Sequence, residues 1–216
     1  MAKIDACLFD LDGVLVDTAK YHFLAWKRLC NELGFDLTEE ENEDLKGISR
    51  AKSLDILLDR GGIVLSNAEK EKYMEQKNSW YLEHVDQMGP DEMLPGAKDF
   101  LNICKKAGKK IGLGTASKNA MRIIEKLRIE DLFDVIIDGT KVSRGKPDPQ
   151  TFSLGAEALK LHASQCVVFE DSIAGIEAGI AGGMYTIGVG DPETLNRANI
   201  VIPGFENIGL DILNEL

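Results

Sequence analysis

The sequence predicts an α/β fold: a parallel sheet with helices on both faces, interrupted after its first strand by an inserted helical subdomain. Three observations carry this. Short, almost wholly apolar runs recur along the chain, helical patterns separate most of them, and about a hundred residues lie between the first run and the second. Strands covered on both faces are continuously apolar, whereas a sheet with one face in water would alternate apolar and polar residues.

The first strand is "ACLF", residues 6–9. Apolar spacing then predicts helices over residues 18–33, 50–60 and 66–85, the last opened by Ser66 and Glu69 at the spacing of a capping box. A crossover between parallel strands needs little more than a dozen residues. The excess reads as a helical cap of residues 18–88, leaving residues 1–17 and 89–216 as the core. "GPDEMLPG" is the returning linker, with a turn at Pro95 and Gly96. The remaining strands are "KIGLGT" (110–115), "DVII" (134–137), "CVVF" (166–169), "YTIGV" (185–189) and "NIVI" (199–202).

With 25 basic and 36 acidic residues among 216, the net charge is −11, a surface that repels nucleic acid and anionic lipid. An anionic substrate therefore needs its own basic cluster. Cys7, Cys30, Cys104 and Cys166 are far apart and lack the spacing of a zinc or redox motif, so reduced, structural thiols of a cytoplasmic protein are expected. Asp5 and Asp10 precede any signal-like stretch, and the longest uncharged run, Ala178 to Gly190, is short and glycine-rich. No targeting segment and no membrane span are expected.

In such sheets polar site residues gather beyond the carboxyl ends of the strands. Asp10, Thr115 and the pair Glu170 and Asp171 lie at such ends. Leaving a strand, Asp10 and Asp12 point the same way, while Gly13 permits a tight turn. Two carboxylates so placed need a cation or a shared proton. Glu170 and Asp171 would bring two more to the sheet edge, and hard oxygen ligands suit Mg²⁺ better than zinc; helix capping by Asp171 or Ser172 is the structural alternative. "GTASKN" sets Thr115, Ser117, Lys118 and Asn119 after a strand, where hydroxyls and the N–H groups of a helix start can hold phosphate. "SRGKPDP" adds Lys146, a compact charge before a rigid proline turn.

These four blocks, in this order and each after a strand, resemble the haloacid dehalogenase superfamily of phosphotransferases over essentially the whole chain. The resemblance implies a Rossmann-like core in which Asp10 is the nucleophile and Asp12 the acid/base. It assigns Thr115 and Lys146 to the transferring phosphoryl group, and Asp10, Asp12, Glu170 and Asp171 to Mg²⁺, with Glu170 in a supporting place. In the cap, "DTAKYHFLAWKRL", "KGISR" and "QKNSWY" resemble segments of the superfamily's hexose-phosphate mutases, which interconvert β-glucose 1-phosphate and β-glucose 6-phosphate. By that likeness Thr18 and His22 act on Asp12, and Lys77 contacts the sugar. Gly47, Ser49, Arg50, Ser117, Lys118 and Asn119 bind substrate, with Arg50 on the non-reacting phosphate. Small-molecule sugar phosphates are then the expected partners of a monomer that binds neither nucleic acid nor membrane. Two other readings stay open, a sugar-phosphate or phosphoglycolate phosphatase on the same core and a non-catalytic phospho-acceptor signalling domain. The helical insertion and the second aspartate count against the latter.

Overall fold

A computed structural model of the chain describes residues 3–45 and 48–216. Its strands are β1 (Ala6–Phe9), β2 (Lys110–Gly114), β3 (Val135–Ile137), β4 (Cys166–Glu170), β5 (Tyr185–Val189) and β6 (Ile200–Ile202). They form one parallel sheet in the order β3-β2-β1-β4-β5-β6. Every expected strand is present. β2 stops at Gly114, which puts Thr115 at the start of the loop, and β4 runs on to Glu170.

The chain lays β2 and β3 to one side of β1 and then returns to lay β4 on the other, so a crevice opens beyond the carboxyl ends of β1 and β4. Phe9 pairs in register with Leu113 and Phe169. Asp10, one residue further, is therefore level with Glu170 on the neighbouring strand.

Strand alternation divides the core in two. Cys7, Phe9, Val167 and Phe169 face α5 (Ala97–Lys106) and α6 (Ala120–Leu127), where they meet Phe100, Leu101 and Ile123. Ala6, Leu8, Cys166 and Val168 face α7 (Gln150–Leu159) and α8 (Ile173–Ala181), where they meet Phe152, Ala156 and Ala178. Phe9 stacks on Phe169 at 4.7 Å directly behind the site residues. Each such ring contributes roughly 1.5–3 kcal/mol on burial.

Between β1 and β2 lie α1 (Ala19–Glu32), α2 (Glu39–Glu43), α3 (Arg50–Gly61) and α4 (Asn67–Val85). α1 packs on α4, burying Trp26 and Leu29 from one and Trp80, Tyr81 and Val85 from the other. Ser66 and Glu69 form the expected capping box. Thr38 and Glu41 form a second one, on the unexpected short helix α2. The returning chain makes a 3₁₀ turn at Pro90–Glu92, pairs Met93 with Val16, and turns at Gly96 with φ 76°. All four cysteines are free and buried, and among the described residues no helix is long and apolar enough to cross a membrane.

Candidate active site

A cavity of about 500 Å³ lies where the carboxyl edge of the sheet meets the inserted helices. The sheet side supplies Asp10, Asp12, Gly13, Thr115, Ser117, Lys118, Asn119 and Asp171. His22, Ser49, Arg50 and Lys77 come from the insertion.

Lys146 Nζ donates to Asp10 Oδ1 and to Glu170 Oε1, each at 2.5 Å. Burial opposes its charge, but the two carboxylates outweigh that and hold the ammonium above its usual range. Burial also raises the Asp10 carboxyl, with Lys146 opposing and Glu170 adding, and leaves it at about 6. The second oxygen of Glu170 accepts from the backbone N–H and the hydroxyl of Ser172, both at 2.8 Å. Ser172 in turn caps α8 by accepting from the Gly175 N–H at 3.1 Å. The capping alternative is therefore realised by Ser172, and the same residue orients the Glu170 carboxylate.

Glu170 is fully buried against Lys146 and is not part of the cavity wall. Among the described residues no three His, Cys, Asp or Glu side chains form a ready-made metal cluster, so the expected set of Asp10, Asp12, Glu170 and Asp171 is carried forward as a proposal. Asp10 and Asp171 do share the wall. Gly13 turns the chain after Asp10 with φ 77°, and a Cβ at that position would lie 1.9 Å from Asp171 Oδ2. The missing side chain is what lets the Asp171 carboxylate lie against the turn beside Asp10. Two oxygen donors without histidine or thiolate fit Mg²⁺, which one or two carboxylates commonly hold together with substrate phosphate.

Asp12 accepts a hydrogen bond from the buried hydroxyl of Thr18. Desolvation first, and the Asp10 charge second, raise its carboxyl to about 8, so at neutral pH it carries a proton. His22 lines the same cavity as Asp12. Its Nδ1 lies 2.7 Å from Lys77 Nζ, and its ring stacks on Tyr81 at 4.1 Å. Of the two residues expected to act on Asp12, Thr18 bonds to it directly, while His22 meets Lys77. Burial and the Arg50 charge push Lys77 well below its ordinary range; burial, Lys77 and Arg50 do the same to His22.

A second cationic group forms around Arg50. Arg50 Nη2 and Asn119 Nδ2 both donate to Asn78 Oδ1, at 2.7 and 2.9 Å. Ser117 N–H donates to Thr115 Oγ1 at 3.1 Å and Asn119 N–H to Ser117 Oγ at 3.2 Å, which fixes the loop before α6. Ser49 caps α3 by accepting from Lys52 N–H. The expectation for Gly47 lies outside the described residues. Asn78 escaped sequence reasoning because neighbouring helical residues point about 100° apart, so its place beside Lys77 gave no reason to put it in the same site.

Residues 4–183 match the family model described as haloacid dehalogenase-like hydrolase. The chain belongs to that family. Within it, the chain is 40% identical to a β-phosphoglucomutase from Bacillus subtilis over 97% of this chain and 94% of the relative. A phosphorylated carbohydrates phosphatase from Thermotoga maritima is 32% identical over 85% of this chain and 84% of its own. The crystal structure of a β-phosphoglucomutase from Clostridium difficile superposes with a TM-score of 0.95 at 39% identity, covering 98% of this chain and 96% of that one. The matched span takes in β1 to β4 and the helical insertion, and β5 and β6 follow it.

Proposed function

We propose that this enzyme interconverts β-D-glucose 1-phosphate and β-D-glucose 6-phosphate, through an aspartyl phosphate and a β-glucose 1,6-bisphosphate intermediate. The observation that carries the reading is one cavity holding two separate groups, the acid pair Asp10 and Asp12 and the cationic group of Arg50 with Ser117, Lys118 and Asn119. A substrate with two phosphates uses both. Similarity to the Bacillus and Clostridium enzymes along nearly the whole chain supports the same choice.

Asp10 attacks phosphorus and takes the phosphoryl group, while Lys146 neutralises oxygens of the transferring group and Thr115 donates to them. Asp12, protonated at neutral pH, delivers its proton to the leaving oxygen and recovers one from the attacking hydroxyl in the second half. Asp10 and Asp171, with Asp12 and Glu170 beside them, would hold Mg²⁺, the ion that members of this family generally use. When bound it offsets the negative charge shared by the carboxylate and the phosphoryl group. Residues 1–17 and 89–216 act as the catalytic core and residues 18–88 as the cap. Small sugar phosphates are the substrates, and the four buried free thiols favour a reducing, cytoplasmic setting.

The test supplies β-glucose 1-phosphate, Mg²⁺ and a trace of β-glucose 1,6-bisphosphate and measures glucose 6-phosphate and free phosphate together. Glucose 6-phosphate in clear excess is expected. Free phosphate as the main product would overturn the mutase in favour of a phosphatase.

A further inference from the structure

We infer that Asn78 is a positioning residue that joins the two parts of the second anion-binding group, so that Arg50 and Asn119 meet a phosphate as one preassembled unit; the inference rests on the mutase reading. A guanidinium can only donate, so the atom that Arg50 Nη2 meets at 2.7 Å is the carbonyl oxygen of Asn78. The same oxygen accepts from Asn119 Nδ2 at 2.9 Å, filling both of its lone pairs. Three elements meet in that one atom: Arg50 opens α3, Asn78 lies in α4, and Asn119 precedes α6. Only α6 belongs to the sheet side. The bond from Asn119 therefore joins the cap to the core inside the cavity, and the bond from Arg50 ties the cap's cation to the same point.

The rest of the α4 to α6 contact explains why the device sits where it does. Arg122 on α6 grips the Asp86 carboxylate with Nε and Nη2 at 2.7 and 2.6 Å, and Lys126 donates to the Asp86 carbonyl at 2.8 Å. Asp86 follows the last residue of α4, three residues before the returning linker at Gly89, so this end of the helix is tied to α6 where the chain returns to the core. Asn78 lies eight residues earlier, about 12 Å further along the helix. There α4 meets the core through the Asn119 bond. A free arginine side chain loses its rotamer freedom when it orders on an anion. Held by Asn78, Arg50 has lost that freedom before the substrate arrives, with other N–H groups of its fork still available.

The test compares the wild type with Asn78→Ala, Arg50→Ala and the double variant in the mutase assay. Alanine raises helix propensity at a half-buried position, so the fold is expected to hold; circular dichroism checks it, and Asn78→Ser serves as the second truncation if needed. Loss of the shared acceptor is expected to raise KM for β-glucose 1-phosphate about tenfold and to change kcat by less than about threefold. In the Arg50→Ala background the same change should alter kcat/KM by less than about threefold, because the cation that Asn78 positions is gone and only its bond to Asn119 is left to lose. A wild type without mutase activity would reject the functional reading itself. With an active wild type, an Asn78→Ala KM within about twofold of normal, or effects that simply multiply in the double variant, would overturn the role of Asn78.

Discussion

At Asp10 a carboxylate only 4% exposed meets the ammonium of Lys146, which it shares with Glu170, so three buried charges depend on one another. Their tasks separate by substitution. Asp10→Asn keeps the shape but is a poor nucleophile, and the purified variant is expected to be folded and without measurable mutase turnover. Glu170→Ala removes one partner of a buried cation and should lower unfolding free energy in urea by about 3 kcal/mol. Asp171→Ala should instead weaken Mg²⁺ binding in calorimetry at least about tenfold more than Glu170→Ala does, because Asp171 lies on the cavity wall beside Asp10. His22 adds a pH dependence. Its folded pKa lies below that of the unfolded chain, so as pH falls through about 6.5 the unfolded chain takes up the proton first and stability declines. The slope from this group is at most about 1.4 kcal/mol per pH unit, and His22→Gln should remove it when urea unfolding is compared at pH 7 and 5.5. Asp10, Asp12, Thr115, Lys146 and Asp171 could be placed beyond strand ends from the sequence, but each type has ordinary uses there, and their roles came from the resemblance carried by all four blocks together. The partners of His22 and the place of Asn78 were not legible, since both depend on how α1, α3 and α4 pack on one another.

The strands were read to within a residue because continuous apolar runs bounded by charge or glycine have few alternatives in a two-faced sheet. The same holds for α4, whose capping box marks its start in the sequence. α2 was missed for a physical reason: its five residues are too few to show a period, and their composition, "EEENE", reads as a solvated loop. Only the Thr38 and Glu41 exchange gives it away. Glycines in α8 show where propensity misleads. Gly175→Ala would be expected to stabilise a helix by about 1 kcal/mol. In this fold its Cβ would fall 1.8 Å from Glu170 Oε1, so the substitution must drive Glu170 away from Lys146 and Ser172. A net loss of about 2–4 kcal/mol is expected instead, measured by urea unfolding. A gain would mean that Glu170 can move without cost and that the α8 cap does not hold the ion pair.

Across the whole molecule a net charge of −11 surrounds a cavity whose wall carries Arg50, Lys77 and Lys118, with Lys146 just behind it. The surface excludes most polyanions, and the local cations admit a small one. Among these, Arg50 has the residue chemistry for the non-reacting phosphate, since its fork can grip two oxygens at fixed geometry. After Asp10 gives up its phosphoryl group, the bisphosphate must present its other end to Asp10, and the group that held one phosphate must then hold the other. Losing that contact should cost about 2 to 4 kcal/mol of transition-state stabilisation, roughly thirtyfold to a thousandfold in kcat/KM for the mutase. Hydrolysis of the aspartyl phosphate formed from acetyl phosphate involves no second phosphate, so its rate should fall by less than about a tenth as much. Both rates are measured on one preparation of Arg50→Ala. If they fall by the same factor, Arg50 supports the packing of α3 and α4 rather than the distal phosphate, and the two-ended cavity loses its mechanistic meaning.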